Sequence, residues 1–186
     1  TDAGKTWKQL GLEATQHIAR IVVHPKDPNT LLVAAQGALY SKSKERGIYK
    51  STDGGLNWNN MGLPKSDRIT SIIVDPRNSD IVWAGVLGAL WGDSEERGVY
   101  KTTDGGKTWN KVFFVDQKTG CADLVIDPKN PDIMYASFWE FRRTAWSFNS
   151  GGNNSALYKT TDGGKTWNKI HTGFPKGQLG RIAIAT

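Results

Sequence analysis

A short phrase occurs four times in this chain, and it constrains the fold more than any other feature of the sequence. It reads TDAGKTW at 1–7, STDGGLNW at 51–58 and TTDGGKTW at both 102–109 and 160–167. The aspartates of successive copies are 51, 51 and 58 residues apart. Self-similarity at such a period indicates one supersecondary unit that is copied along the chain.

Each copy joins an aspartate to one or two glycines and a tryptophan, which predicts a tight turn. The carboxylate can accept main-chain N–H groups two or three residues ahead, and the glycines supply backbone angles that other residues avoid. We expect each tryptophan to bury its ring between neighbouring repeats. Because all four copies carry the same residues, a structural role is expected for them, with no metal bound and no part in catalysis. These residues are Asp2, Asp53, Asp104, Asp162, Trp7, Trp58, Trp109 and Trp167.

The residues around each turn predict four short strands per repeat. Apolar and polar residues alternate at 47–51, 98–102 and 156–160, which indicates a half-buried strand leading into the turn, and a returning strand follows. Two more strand candidates precede these in each repeat, separated by turns rich in Pro, Asn and Asp. No stretch has the apolar spacing of a helix. The sequence therefore predicts an all-β protein, a β-propeller segment of four-stranded antiparallel blades labelled A to D.

The predicted blades occupy 17–64, 68–116 and 120–175. Residues 1–15 are expected to be the last strands of an earlier blade, and 179–186 the first strand of a later one. Strand A is an almost continuous apolar run, so it is predicted to be innermost and buried on both faces. Propellers close with four or more blades, so about three complete and two partial blades predict part of a longer propeller, or a ring closed by a second copy.

Composition excludes some classes of function. The formal net charge is +6 and the pI about 9.4, but the lysines are spread over turns without the clustered stripe of a nucleic-acid-binding protein, so no nucleic acid is expected. Cys121 is the only cysteine, so no internal disulfide forms. No apolar run approaches the roughly 20 residues of a transmembrane helix. No cofactor motif is present.

The repeated phrase resembles the Asp-box, also called the BNR repeat, of sialidases, xyloglucanases, sortilin-type receptors and a photosystem II assembly factor. The longer pattern, with GALY or GALW, then ERG and then (I/V)YK(S/T)TDGG, resembles large bacterial exported proteins with sortilin-like, glycosyl-hydrolase-like propellers. The resemblance implies a location outside the cytoplasm. It also implies that the Asp-box lies at the outer C–D turn, and that ligands bind at the opposite face, which carries the B–C and D–A loops.

Three B–C loops can be located, at 40–47, 91–98 and 138–155, and the third is the longest. A long loop on a rigid fold is a usual place for function, and arginine interleaved with aromatic residues can bind sugars, carboxylates or peptide side chains. The alternative interpretation is a plug that folds onto the propeller around its own aromatic side chains. The ligand-binding candidates here are Trp139, Glu140, Arg142, Arg143 and Trp146.

Alignment of strand A across the blades places Arg20, Ser71, Asp123 and Arg181 at one equivalent position. Their neighbours are apolar, so these side chains are expected to face the central channel, where unpaired charges are costly. They form either a structural belt of ion pairs or a polar floor that recognises an anionic group. The pairs Glu45–Arg46 and Glu96–Arg97 recur before strand C, and they are expected either to tie adjacent blades together or to contact ligand.

Three functions remain open. The first is a non-catalytic module that binds a protein, a peptide or a glycan. The second is a glycoside hydrolase, which needs two carboxylates about 5–9.5 Å apart. The third is an assembly subunit of a larger complex. No residue has a context that marks it as catalytic; the hydrolase candidates are Asp93, Glu95, Glu96, Asp123 and Glu140.

Overall fold

A computed structural model describes residues 2–41 and 43–185 as three antiparallel sheets, which confirms the predicted all-β propeller segment. Within these residues the structure contains no helix, and so none that is long and apolar enough to cross a membrane.

The first two sheets are complete four-stranded blades in which strands neighbour one another in chain order. The first comprises β1 (Ile18–His24), β2 (Asp27–Ala35), β3 (Gly47–Ser51) and β4 (Asn59–Asn60). The second comprises β5 (Ile69–Val74), β6 (Val82–Val86), β7 (Gly98–Thr102) and β8 (Asn110–Phe113).

The third blade differs because its second strand is extended. It comprises β9 (Thr119–Ile126), β10 (Met134–Arg143), β12 (Ala156–Thr160) and β13 (Asn168–Lys169), with β11 (Phe148–Ser150) paired to the end of β10. The sequence predicted a long loop over 138–155. Much of it is instead a β-hairpin in which Phe141 pairs with Ser150 and Arg143 with Phe148.

The hydrophobic core lies between the blades. Leu32, Ala34 and Ile48 of the first blade pack against residues of the second such as Val82 and Tyr100. Trp83 and Val99 of the second blade pack likewise against the third. Each sheet therefore buries its faces against its neighbours, and a blade at the end of the row keeps one face uncovered.

The Asp-box turn is closed as its sequence predicts. In the third copy Asp104 Oδ1 accepts hydrogen bonds from Thr102 Oγ1 at 2.7 Å and from the main-chain N of Thr108 at 2.9 Å, while Oδ2 accepts from Thr108 Oγ1 at 2.7 Å. Gly106 has a φ of 96°, which a residue with a side chain rarely adopts. Hydrogen bonds from Asn57 lower the pKa of Asp53 from 3.8 to about 2, and hydrogen bonds from threonines also lower the pKa of Asp104 and Asp162.

The tryptophans of the turn connect consecutive repeats. Trp109 donates its indole N–H to Met61 O at 2.7 Å, and Trp58 donates to Leu10 O at 2.6 Å. Trp167 stacks on Phe113 of the preceding blade, with ring centroids 5.4 Å apart. Trp7 differs from the expectation of burial, since it is 90% exposed and no earlier repeat within the described chain packs on it.

Two expectations about the ends of the row are not met in the structure. Residues 2–17 contain no strand, and residues 179–185 contain only an isolated bridge from Leu179 to Gly152. Strand β1 is largely exposed, with Ile21 at 60% and Val23 at 53%. Both differences arise at the ends of the row. A strand forms only where a neighbouring strand pairs with it, and an inner strand is buried only where a blade lies on each side. The boundaries of the partial blades stay a prediction.

Candidate functional site

A buried arginine organises the B–C loop of each of the first two blades. Arg46 donates Nε to Gln36 O at 2.9 Å and Nη2 to Ala38 O and Ser41 O, each at 2.9 Å. Its Nη1 forms an ion pair with Asp67, which lies on the connection to the next blade. One side chain therefore holds its own loop and joins two blades.

Arg97 performs the same task in the second blade. Its guanidinium donates to the main-chain oxygens of Leu87, Ala89, Gly92 and Gln117, and its side chain is 1% exposed. Burial lowers the pKa of Arg97 to about 10. Its guanidinium carbon lies 4.7 Å from the ring centroid of Phe141 in the third blade.

The neighbouring glutamates act separately from these arginines. Glu45 accepts a hydrogen bond from Ser43 at 2.9 Å, and Glu96 accepts one from Tyr100 at 3.1 Å. Of each Glu–Arg pair, it is therefore the arginine whose contacts among the described residues reach the next blade.

The loops ordered in this way present aromatic rings to solvent. Tyr40 and Trp91 occupy the same position in successive repeats, and their ring centroids are 5.9 Å apart at an angle of 35°. Arg143 lies 6.0 Å from the ring centroid of Trp91 and 5.0 Å from that of Phe148. Tyr40 is 78%, Trp91 40% and Phe148 48% exposed. We call this row of four side chains the aromatic path; it spans all three blades.

Beneath Tyr40 and Trp91 lies a cavity of about 250 Å³ between the first two blades. We call it the first crevice. Its walls include both rings, and its charged lining residues are Arg46, Asp67 and Arg68.

The hairpin of the third blade has features of both interpretations of the long segment, the ligand-binding loop and the plug. Trp139 and Phe141 are buried and stacked, with ring centroids 4.5 Å apart, as expected for a plug. Trp146, by contrast, is 87% exposed near the hairpin turn. Because side chains alternate along a strand, one face of β10 packs inward while the other carries polar groups outward.

Those outward groups line a second cavity, of about 340 Å³. Its lining includes Glu140, Arg142, Lys118 and Asp93, and Arg142 Nη1 lies 3.2 Å from Asp93 Oδ1. Glu140 Oε2 also accepts a hydrogen bond from the main-chain N of Asn154 at 3.1 Å. Two of the carboxylates considered for hydrolysis therefore line one cavity.

The predicted row along the central channel forms in part. Ser71 Oγ lies 3.1 Å from Asp123 Oδ1, and Arg20 Nη2 lies 3.9 Å from the same oxygen. Arg181 is not beside Asp123; its guanidinium carbon lies 5.9 Å from the ring centroid of Trp139. The other oxygen of Asp123 accepts instead from the main-chain N of Ile184 at 3.1 Å.

Sequence reasoning missed Tyr40, Trp91 and Arg68 as candidates. The first two could have been found, because they end the matching segments GALY and GALW one repeat apart. Arg68 has no such sign, since the residues at its position in the other blades differ.

Curated relatives include both enzymes and a non-enzymatic protein. The chain is 28% identical to xyloglucanase Xgh74A of Acetivibrio thermocellus over 87% of this chain, and 26% identical to a Paenibacillus xyloglucanase over 93%. These matches cover 20% and 17% of the two enzymes, so the chain spans about a fifth of their length. It is also 27% identical to the photosystem II assembly lipoprotein Ycf48 of a Synechococcus strain, over 90% of this chain and 40% of that protein.

Solved structures support the fold. An ancestral GH74 enzyme aligns with a TM-score of 0.62 at 22% identity, over 88% of this chain and 19% of its own. Ycf48 from Cyanidioschyzon merolae aligns with a TM-score of 0.54 at 19% identity, over 88% of this chain and 39% of its own.

Residues 46–180, which hold the last two strands of the first blade and all of the second and third, match the Sortilin-Vps10 family, described as sortilin, neurotensin receptor 3. This is well over half of the chain, and the four-stranded blades and Asp-box turns agree with it. The chain therefore belongs to the Sortilin-Vps10 family.

Proposed function

We propose that this segment binds a glycan chain, without cleaving it, along the aromatic path. The observation that carries the proposal is the contact between Tyr40 and Trp91, two exposed rings on neighbouring blades. Rings held side by side on rigid loops offer flat apolar surfaces at low entropic cost, onto which the C–H faces of sugar rings can stack. Arg143 extends this surface to the third blade and adds hydrogen-bond donors for hydroxyl groups.

The relatives agree with a glycan as the ligand. Several are named xyloglucanases, so xyloglucan is the first polysaccharide to test. A peptide or protein ligand is the alternative within the same class of function, since one relative is an assembly lipoprotein.

The test is calorimetric titration of the chain with xyloglucan oligosaccharides. Trp91→Ala and Tyr40→Ala should each weaken binding about tenfold or more, because each removes a stacking surface worth roughly 1–3 kcal/mol. Trp7→Ala is the matched control, since Trp7 is 90% exposed but belongs to an Asp-box turn. Equal affinity of the Trp91 and Trp7 variants, or saturable binding of peptides but no sugar, would reject the proposal.

A glycoside hydrolase is the second candidate, favoured by the cavity that Asp93 and Glu140 share. An enzyme would need one carboxylic acid and one carboxylate across the scissile bond. Release of reducing sugar from xyloglucan, abolished by both Asp93→Asn and Glu140→Gln, would establish it. Binding without release would leave the non-catalytic role.

We propose further that the ring is closed by additional blades of a longer protein located outside the cytoplasm, since the matched relatives are several times longer than this chain. Closure by a second copy is the alternative. Sedimentation equilibrium distinguishes them, because closure between copies requires a dimer of the 20.5 kDa chain.

A further inference from the structure

The first crevice holds more positive charge than the described residues around it neutralise. Its lining contains two guanidinium groups, Arg46 and Arg68, and one carboxylate, Asp67. Arg46 forms an ion pair with that carboxylate. Arg68 forms no ion pair with any described residue, although its side chain belongs to a residue that is only 8% exposed.

Arg68 also has unused hydrogen-bonding capacity. A guanidinium carries five N–H donors, and within residues 2–41 and 43–185 the side chain of Arg68 donates one hydrogen bond, from Nη2 to Leu39 O at 3.3 Å. Burial lowers the pKa of Arg68 and the charge of Arg46 acts in the same direction, while the charge of Asp67 opposes both. A buried cation of this kind is costly unless an anion joins it.

The arginine is not common to the three complete blades. The main-chain oxygen of Arg68 accepts from Leu87 N at 2.8 Å, and that of His17 accepts from Gln36 N at 2.8 Å in the blade before. The matching residue in the third blade is Gly120, paired with Trp139. In all three blades the residue at this position therefore pairs through its main chain, whatever its side chain. That shared pairing does not account for the presence of an arginine in the second blade.

The crevice between the second and third blades is built differently. There Arg97 donates to four main-chain oxygens and is covered by Phe141. The first crevice instead stays open beneath Tyr40 and Trp91, with a volume of about 250 Å³. This is below the ~300–1,000 Å³ typical of sites for drug-sized ligands, and it suits one sugar unit.

We propose that Arg68 binds the carboxylate of a uronic acid unit that enters the first crevice while its ring stacks on Tyr40 or Trp91. This deepens the proposed function and rests on it, because the acidic unit would belong to the glycan that follows the aromatic path. A guanidinium matches a carboxylate in planar, bidentate geometry. An aromatic wall above such a floor favours a ring-shaped acid over a flexible acidic side chain.

The test compares two probes on the full 186-residue chain by calorimetry: a β-1,4-linked glucotetraose, and the same tetrasaccharide oxidised at C6 to glucuronate. The wild-type chain should bind the oxidised probe about tenfold more tightly, the scale of one charge-assisted hydrogen bond. Arg68→Gln should remove this preference, so that the two probes bind with similar affinity. Lys65→Gln, which removes an exposed positive charge three residues away, should keep the preference.

The outcomes separate the two proposals. If the neutral probe binds through Trp91 but oxidation adds nothing, the carboxylate site is wrong and glycan binding stands. If neither sugar binds, the proposed function fails and this inference fails with it. If Arg68→Gln keeps the preference, the carboxylate binds elsewhere. If a peptide with a free C-terminal carboxylate binds through Arg68 and the oxidised sugar does not, the ligand is a peptide and the uronic acid is rejected.

Discussion

Trp109 donates its indole N–H to the main-chain oxygen of Met61, 48 residues earlier, at 2.7 Å. Trp58 makes the same bond to Leu10 over the same separation, at 2.6 Å. In these two copies the Asp-box therefore does two things at once: its aspartate closes a turn, and its tryptophan fastens that turn to the repeat before. This explains why the two residues recur together.

Trp109→Phe should destabilise the chain by about 0.5–1.5 kcal/mol, because it removes one hydrogen bond while keeping most of the packing. Trp109→Ala should cost about 1–3 kcal/mol, since a half-buried ring is lost as well. Urea unfolding measures both. Trp7→Ala is the control, with a change within about 0.5 kcal/mol expected for an exposed side chain. A similar loss in the control would show that the tryptophans act without the preceding blade.

The Asp-box carboxylates should make stability depend on pH at the acid end. Folding lowers the pKa of Asp53 from 3.8 to about 2, and it lowers the pKa of Asp104 and Asp162 in the same direction. The unfolded chain therefore binds more protons in this range, and stability must fall as pH drops through it. We expect the thermal midpoint to be steady above about pH 5 and to decline steeply toward pH 2.

Asp104→Asn and Asp104→Ala separate charge from hydrogen bonding in that turn. Asparagine keeps one acceptor oxygen, so it should lower the thermal midpoint less than alanine, which should lower it by about 2–5 °C. Both substitutions should also make the thermal midpoint fall less steeply as the pH drops below about 5. Neither should change glycan affinity, because the turn lies away from the aromatic path. Loss of binding in a folded Asp104 variant would contradict the structural role.

The fold could be predicted because its determinants are local and repeated. The turn at Asp104 needs only a carboxylate, two glycines and hydroxyl donors within four residues of the aspartate, and the same arrangement recurs at Asp162. Pairing of Arg20, Ser71 and Asp123 was predicted for a related reason, since equivalent positions on adjacent inner strands must lie side by side.

The candidate site was predicted less well than the fold. Its geometry depends on the way in which long side chains reach from one blade to the next. Arg181 was placed by alignment next to Asp123, but it is the main chain of Ile184 that contacts this carboxylate, while Arg181 lies over Trp139. Arg68 reaches a crevice that only the assembled blades create. The long segment after Trp139 was expected to be a loop, whereas backbone pairing with Phe148 makes it a hairpin.

Arg97→Met should destabilise the chain by about 2–4 kcal/mol, because several buried main-chain oxygens lose their donor and methionine cannot replace it. Arg97→Lys should fall between methionine and wild type, since an ammonium group reaches fewer of these oxygens. The measurement is urea unfolding, with hydrogen exchange of residues 87–97 as a local readout. Unchanged exchange in a destabilised Met variant would show that Arg97 does not hold this loop.

Buried and exposed residues of the hairpin should contribute differently to the stability of the chain. Phe141 is 2% exposed, stacked on Trp139 and beneath Arg97, so Phe141→Ala should cost about 3–5 kcal/mol in urea unfolding. Trp146, at 87% exposed, should tolerate alanine within about 0.5 kcal/mol.

The double variant Arg142→Gln with Arg143→Gln tests the two exposed arginines at the end of β10. Both side chains are exposed, so unfolding should change little. Oligosaccharide affinity should fall severalfold, because Arg143 bridges Trp91 and Phe148 in the aromatic path. Loss of folding in the double variant would mean that the hairpin acts as a plug on both faces. The glycan would then have to bind along Tyr40 and Trp91 alone.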